Sequence, residues 1–324
     1  MLTSDFDYTL PPELIASEPL PDRAASRMMV VHRDSGKIEH RQFRDLRDYQ
    51  SPGDLFVFND TRVIPARFFN DEGKREFLQL EKITPRHWRC MVKPGKKFFL
   101  GSRHMIGGVP GRVIEILENG ERIIEWLGDV DEETHGHLAL PHYMRRDDRP
   151  DDRERYQTVF AQHPGSIAAP TAGLHFTPEL VAELPHAYVT LHVGVGTFQP
   201  VKAEAVLDHV MHSERYMISE ETAAAVEKAE RVIAVGTTAC RTLESSATQH
   251  GKVTASQGET SIFIYPGYEF KAVDAMVTNF HLPKSSLIML VSALAGRELI
   301  LEAYAEAVKE KYRFFSYGDC MLIL

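Results

Sequence analysis

His175 is the side chain whose setting most invites a chemical role. It closes the small, turn-prone run Ala168-Ala-Pro-Thr-Ala-Gly-Leu-His175 and stands two residues before Thr177. Thr177-Pro178-Glu179 reads as a helix start, with Thr at the N-cap, Pro at N1 and an acid in the first turn. The positive end of that helix disfavours imidazolium, so His175 would stay neutral and able to accept a proton. A histidine here could equally serve as local hydrogen-bonded structure, and the segment alone leaves both readings open. Two glycine turns form a second class. Val193-Gly194-Val195-Gly196-Thr197 and Val235-Gly236-Thr237-Thr238 follow apolar strands, and the second opens a helix. Backbone N–H groups in such turns can hold a phosphate or a carboxylate. Neither turn ends in Gly-Lys-Ser/Thr or completes GxGxxG, and close strand–helix packing explains both as well.

Other chemistries find less support. Among 15 histidines, His135-x-His137 and His209-x-x-His212-x-Glu214 have tolerable metal-ligand spacing, but HExxH is missing, so no metal site is expected. GxSxG is also missing. The three cysteines, Cys90, Cys240 and Cys320, lie in apolar surroundings with no CxxC, which excludes a disulfide scaffold and argues against a covalent hydrolase.

The elements that must position these residues come in two kinds. Met28–Val31 and Leu55–Phe58 read as buried strands. From Phe68 to about Leu140 the pattern is short strands and close turns, almost without helical periodicity. Asn119-Gly120, between two alternating runs, predicts a hairpin, and Pro94-Gly95 predicts a second. Beyond Tyr156 strands alternate with helices. Strands are expected at Ala187–Val193, Arg231–Val235 and Ile262–Tyr265, and helices after Thr177, after Ser219, at Ala239–Ala247, at Ser286–Ala295 and along the Leu299–Tyr312 stripe. The pattern predicts an α/β domain made of residues 1–67 and 150–324, interrupted by a small β-barrel of residues 68–149.

Length and charge agree with this division. At about 150 residues per domain, 324 residues suggest two. The net charge is −9, yet residues 62–103 carry 11 Lys+Arg against four Asp+Glu. A basic segment within an acidic chain suits a polyanion partner, although a solvated basic face would look the same. The most apolar stretch, Leu287–Ala295, spans nine residues, far short of the roughly 20 a membrane helix needs. No secretory signal is seen at Met1–Leu10, and a cytoplasmic protein is expected.

Several blocks, taken in order, are specific. They are Phe6-Asp7-Tyr8-x-Leu10-Pro11, Phe58-Asn59-Asp60-Thr61-Arg62-Val63-Ile64-Pro65-Ala66-Arg67, Tyr156-Gln157-Thr158-Val159-Phe160 and Ala169-Pro170-Thr171-Ala172-Gly173-Leu174-His175-Phe176-Thr177. Leu191-His192-Val193-Gly194-x-Gly196-Thr197-Phe198, Gly236-Thr237-Thr238, Thr278-Asn279-Phe280-His281-Leu282-Pro283 and Phe314-Phe315-Ser316-Tyr317-Gly318-Asp319 complete them. Together they resemble the S-adenosylmethionine:tRNA ribosyltransferase-isomerases of queuosine biosynthesis, from end to end. The chain departs from that pattern at Gln199, where Arg is expected, and at Cys320, where Ala is usual.

The resemblance implies transfer and isomerisation of the ribosyl part of S-adenosylmethionine onto a 7-aminomethyl-7-deazaguanine at the wobble position of tRNA. Epoxyqueuosine forms, and adenine and methionine leave. It also implies a three-layer α/β/α domain carrying an inserted β-barrel, with no metal or bound cofactor, S-adenosylmethionine being consumed as a substrate. The expected partners are tRNA and S-adenosylmethionine, without a membrane, and the enzyme is expected to be a monomer. His175 is the expected general base. Asp7, Tyr8, Asn59, Asp60, Thr61, Arg62, Thr171, Gly173, Phe176, Gly194, Gly196, Thr197, Phe198, Thr237, Thr238, Asn279 and His281 are expected around the substrates, and Lys93, Lys96 and Lys97 against tRNA. Two alternatives stand beside this reading. One is a metal-dependent hydrolase using the histidine pairs; the other is an RNA-binding module without catalysis.

Overall fold

A computed structural model describes the chain except Arg145, Val195, residues 197–200 and the side chain of His142. Nine strands form one large sheet. The amino-terminal part contributes β1 (Arg27–His32), β2 (Lys37–Gln42) and β3 (Asp54–Asn59), and is followed by the short β4 (Thr61–Val63). A second, seven-stranded sheet follows, made of β5 (Arg67–Phe69), β6 (Glu76–Thr84), β7 (His87–Lys93), β8 (Arg103–Ile106), β9 (Val109–Ile116), β10 (Arg122–Trp126) and β11 (Gly136–His137). Past the short helices α1 (Glu132–His135), before β11, and α2 (Asp152–Arg155), the chain returns through β12 (His163–Ser166), which pairs with β4. It then enters β13 (His186–Leu191), β14 (Glu214–Ile218), β15 (Arg231–Val235), β16 (Ser256–Thr260), β17 (Ala275–Asn279) and β18 (Cys320–Ile323) of the large sheet.

The order of the large sheet is β16-β14-β13-β3-β15-β17-β18-β1-β2. Its centre, β13-β3-β15-β17, is parallel, and its flanks are joined antiparallel. Strands β3 and β17 are buried along their whole length, as a parallel centre covered on both faces requires. The period-2 alternation sorts their side chains. Leu55, Val57, Val232, Ala234 and Met276 share one cluster with the helices α5 (Thr237–His250), α6 (Ser286–Ala295) and α7 (Arg297–Lys309). Phe56, Phe58, Ile233, Val235 and Val277 face the other way. They meet Phe43, Phe176 and Leu180, the last on α3 (Pro178–Glu183).

The smaller sheet is antiparallel throughout, in the order β11-β5-β6-β7-β10-β9-β8. It curls around Phe68, Phe77, Trp88, Phe98 and Trp126. Gly111 of β9 is required there, because a Cβ would fall 2.5 Å from the Trp126 ring. Strands β9 and β10 form the hairpin expected at Asn119-Gly120. The expected turn at Pro94-Gly95 is not a hairpin: β7 pairs with β6 and β10, while β8 pairs with β9. Residues 262–265 form no strand either; the pairing with β14 is made by Ser256–Thr260. Polarity misled there, since β16 is an exposed edge strand without an apolar run. The helix after Ser219 is α4 (Glu220–Lys228), with the Ser219 side chain accepting from Thr222 N–H. Among the described residues no helix is long and apolar enough to cross a membrane.

Candidate functional site

The four parallel strands end side by side, at Asn59, Leu191, Val235 and Asn279. The crevice beyond the carboxyl ends of such strands is where open α/β sheets bind ligands. Here it is a half-open cleft, with about 740 Å³ of space that is partly open to solvent. Its floor comes from Val193, Gly236–Thr238 and Thr278–Leu282, and its walls from residues 168–172, Tyr143, Tyr156, Leu287 and Phe315. Gly236 makes the turn from β15 into α5 with a φ of 89°, a conformation that favours glycine. Among the described residues that line it, none is an Asp, Glu, Lys or Arg.

The polar groups of the cleft are fixed and partly unsatisfied. The Asn279 side-chain nitrogen donates to His175 Nε2 at 3.0 Å and the Phe315 carbonyl at 3.1 Å, and reaches the Asp319 carbonyl at 3.4 Å. Two carbonyls on that side fix the amide orientation, which leaves Asn279 Oδ1 buried without a partner among the described residues. Thr238 Oγ1 and the Tyr156 hydroxyl are likewise buried and unpaired. An unmade hydrogen bond costs about 1–3 kcal/mol in a buried group, so each of the three can gain by accepting a partner from outside the chain. The Tyr143 ring stacks on Phe315 at 4.4 Å between centroids.

Two histidines stand near Asn279: His175 bonds to its side chain, and His281 follows it by two residues. His281 lines the cleft; its Nε2 lies 2.8 Å from Thr278 Oγ1, and its backbone N–H donates to the Tyr304 hydroxyl at 2.9 Å. Burial pushes its pKa down to about 3. His175 is also neutral, pushed down to about 3 by burial and then by the charges of Arg313 and Arg23. That cause differs from the expected helix dipole. His175 does not line the cleft: its Nδ1 lies 2.9 Å from Ser26 Oγ, its Nε2 accepts from Asn279, and its ring faces Phe43. Both its nitrogens are engaged within the protein, and its link to the cleft runs through Asn279.

The structure brings together Thr171, Thr237, Thr238, Asn279 and His281 on the cleft. Tyr8 stands behind it, donating its hydroxyl to the His281 carbonyl, and Asp7 pairs with Lys284 at 2.7 Å. Gly173 is buried beneath it, where a Cβ would meet Thr158 and Phe160 at 2.8 Å. Phe176 belongs to the core, between Phe43 and Phe58. The expectation that Asn59–Arg62 reach the same cleft is corrected. Asn59 clamps β3 to Leu191, Asp60 accepts from Thr190 Oγ1 at 2.6 Å, Thr61 meets His192 at 2.8 Å, and Arg62 is exposed. Burial raises the Asp60 pKa. Gly194 donates its N–H to Glu214 at 3.0 Å, and Gly196 lies against the His212 ring, both outside the cleft. Thr197 and Phe198 lie outside the described residues, as does Gln199.

Lys93, Lys96 and Lys97 are exposed on the curled sheet and make no ion pair among the described residues. Most other cations there are paired, Lys82 with Glu132 and Arg112 with Glu125 among them. The described residues contain no group of three or more His, Cys, Asp or Glu placed to hold a metal ion. Sequence reasoning missed Tyr143, Tyr156 and Phe315 as cleft residues. Two of them stand in the Tyr156–Phe160 and Phe314–Asp319 blocks, which were the available signal.

A family model described as "Queuosine biosynthesis protein" matches residues 3–323. An S-adenosylmethionine:tRNA ribosyltransferase-isomerase of Clostridioides difficile is 50% identical over 342 aligned residues, covering all of both chains. One of Acetivibrio thermocellus is 52% identical, again covering all of both. Among solved structures, the S-adenosylmethionine tRNA ribosyltransferase of Thermotoga maritima is similar with a TM-score of 0.58 and 40% identity, over 99% of this chain and all of the other.

Proposed function

The chain belongs to the queuosine biosynthesis protein family, and from that premise we propose how its cleft acts as an S-adenosylmethionine:tRNA ribosyltransferase-isomerase. The reaction moves and isomerises the ribosyl part of S-adenosylmethionine onto a 7-aminomethyl-7-deazaguanine at the tRNA wobble position. It gives epoxyqueuosine, adenine and methionine, and S-adenosylmethionine is spent as a substrate with no bound cofactor. The observation that carries this reading is the trio of unpaired buried groups, Asn279 Oδ1, Thr238 Oγ1 and the Tyr156 hydroxyl. One acceptor and two hydroxyls complement a purine edge, whose amino group donates and whose ring nitrogens accept.

A sulfonium entering this cleft meets no carboxylate among the described lining residues, only apolar and neutral polar surface. It therefore stays un-neutralised and keeps the adjacent ribose C–H acidic. We assign removal of that proton to His281. Thr278 Oγ1 lies 3.4 Å from the Asn279 carbonyl, to which it can donate, so Nε2 of His281 carries its proton toward Thr278 and Nδ1 keeps a lone pair. Loss of adenine opens the ribose, the aminomethyl nitrogen attacks, and closure of the epoxide expels methionine. His175 is a positioning residue that holds Asn279. The flipped, guanine-like base enters from the Tyr143–Phe315 side, where it can stack. Thr171 and Thr237 complete the cleft, and Lys93, Lys96 and Lys97 contact tRNA phosphates.

The same reading covers architecture. Residues 1–67 and 150–324 form a three-layer α/β/α domain, residues 68–149 an inserted barrel-like unit, and the enzyme works as a cytoplasmic monomer. The test is release of labelled adenine from S-adenosylmethionine in the presence of tRNA carrying the aminomethyl base. Release by the wild type and at least tenfold weaker S-adenosylmethionine binding by Thr238→Val are expected. Absence of adenine release, or a Thr238→Val protein that binds as the wild type does, would refute the assignment of this cleft.

A further inference from the structure

A second pocket, about 860 Å³ of free space, adjoins the cleft. Leu287, at the start of α6, lines both. Into the second pocket comes Arg241 of α5, 5% exposed. Its Nη1 pairs with Glu214, itself 6% exposed, and its Nε lies 3.4 Å from the Ile262 carbonyl. Its Nη2 is buried and has no partner among the described residues. A guanidinium nitrogen left dry and unpaired is costly, and a carboxylate or phosphate oxygen is the partner its fork fits best.

The surroundings favour an anion. Ser286 and Leu287, the first two residues of the ten-residue helix α6, line the pocket, and no acid stands in the first turn. Their N–H groups have no partner within the helix, and its dipole adds positive potential there. Two carboxylates face the pocket. Glu214 is already engaged by Arg241 and by the Gly194 N–H at 3.0 Å, while Asp208 is exposed, as is Lys202, which lines the pocket too. His209 and His212 complete the polar wall.

We propose that this pocket binds an anionic oxygen group, held by Arg241 Nη2 and the amino terminus of α6. The inference rests on the reading above for the identity of the ligand. A substrate whose nucleoside fills the cleft can pass Leu287 and place its carboxylate here; alternatively, a phosphate of the bound RNA enters. The two sources share one chemistry and separate by experiment.

Arg241→Lys keeps a cation for Glu214 and removes the second guanidinium nitrogen. The double variant Arg241→Met with Glu214→Gln leaves no lone buried charge and keeps an acceptor for Gly194, so a fold defect in one variant does not end the test. Binding of S-adenosylmethionine, of its decarboxylated analogue and of an anticodon stem-loop would be measured for each, the last across salt concentrations. Charged hydrogen bonds of this kind are worth about tenfold or more in affinity. If the carboxylate is the ligand, the variants lose that factor for S-adenosylmethionine and not for the analogue. If a phosphate is the ligand, the stem-loop weakens and its salt slope falls by about one. All three ligands binding both variants within twofold of wild type would overturn the site and leave the enzyme reading standing. Wild-type protein that binds neither S-adenosylmethionine nor the stem-loop would overturn both.

Discussion

The cleft at the carboxyl ends of the parallel strands and the curled seven-stranded sheet handle polarity in opposite ways. Unpaired buried groups do not separate them, since Gln79 in β6 is as buried and partnerless as Asn279 Oδ1. Charge does. Among the described lining residues of the cleft the ionisable groups are His281, which is held neutral, and the hydroxyls of Tyr143 and Tyr156, whose pKa values burial raises, whereas the curled sheet exposes Lys93, Lys96 and Lys97 without a carboxylate partner among the described residues. Fixed neutral dipoles in a dry site act only at short range and demand a particular ligand shape. Exposed cations act over about a Debye length, tolerate any sequence and weaken with salt. One chain thus has a place suited to bond-making on a small molecule and a place suited to holding a polyanion.

His281 is the one imidazole among the described lining residues of the cleft, and its removal should have the largest effect. His281→Ala should lower turnover by roughly 10²–10⁴-fold, the usual scale for a general base, with S-adenosylmethionine affinity changed only a few-fold. His175→Ala should behave differently. It strips Asn279 of an acceptor and opens space beside Phe43, so thermal stability and activity should fall together. Single-turnover kinetics and melting curves on both variants decide it. A kinetic loss without a stability loss in His175→Ala would reverse the two roles.

The pH dependence of stability sharpens the same contrast. His175 and His281 are pushed down to about 3 in the folded protein, against about 6.5 for a free histidine. Between those values the unfolded chain binds the extra protons. Stability is therefore whole above about pH 6.5 and falls as the pH drops toward 3, by up to about 1.4 kcal/mol per pH unit for each ring. His104 in the curled sheet, pushed down to about 4 by burial and then by Arg75, adds to the fall over a narrower range. Denaturant unfolding at several pH values should show this slope, and His175→Asn should reduce it by about one proton. An unchanged slope in that variant would mean that His175 titrates normally in the fold.

Sequence patterns located both regions but not their inner geometry. Strands β1, β3, β13 and β15 and helices α3 to α7 follow from apolar period and caps such as Thr177 and Ser219, because those signals are local. Register and the facing of single side chains are set by contacts distant in sequence. Nothing near His175 indicates that Asn279, 104 residues away, takes its Nε2, or that Asn59 and Asp60 turn toward β13. The polar run Asn59–Arg62 is expected around the substrates only through the family resemblance, since its own pattern does not say what it faces. In the structure Asn59 and Asp60 satisfy backbone and hydroxyl donors where strands end.

Lys93 ends β7, and Lys96 and Lys97 lie in the turn Gly95–Lys97 that follows it, all three exposed. Each cation that meets an RNA phosphate releases counterions worth about 0.7–0.9 in the slope of log affinity against log salt. Replacing all three by Gln should therefore flatten the slope for tRNA binding by about two and weaken binding severalfold at low salt. Stability should move within about 0.5 kcal/mol, as expected for exposed positions without partners. S-adenosylmethionine affinity should stay put, because the cleft draws no charge from these residues. Filter binding of tRNA at several salt concentrations, beside calorimetry with S-adenosylmethionine, measures both halves. A slope that does not change would make the lysines a solvated face and move RNA recognition elsewhere. A loss of S-adenosylmethionine binding would show that the two regions are not the separate devices their charges suggest.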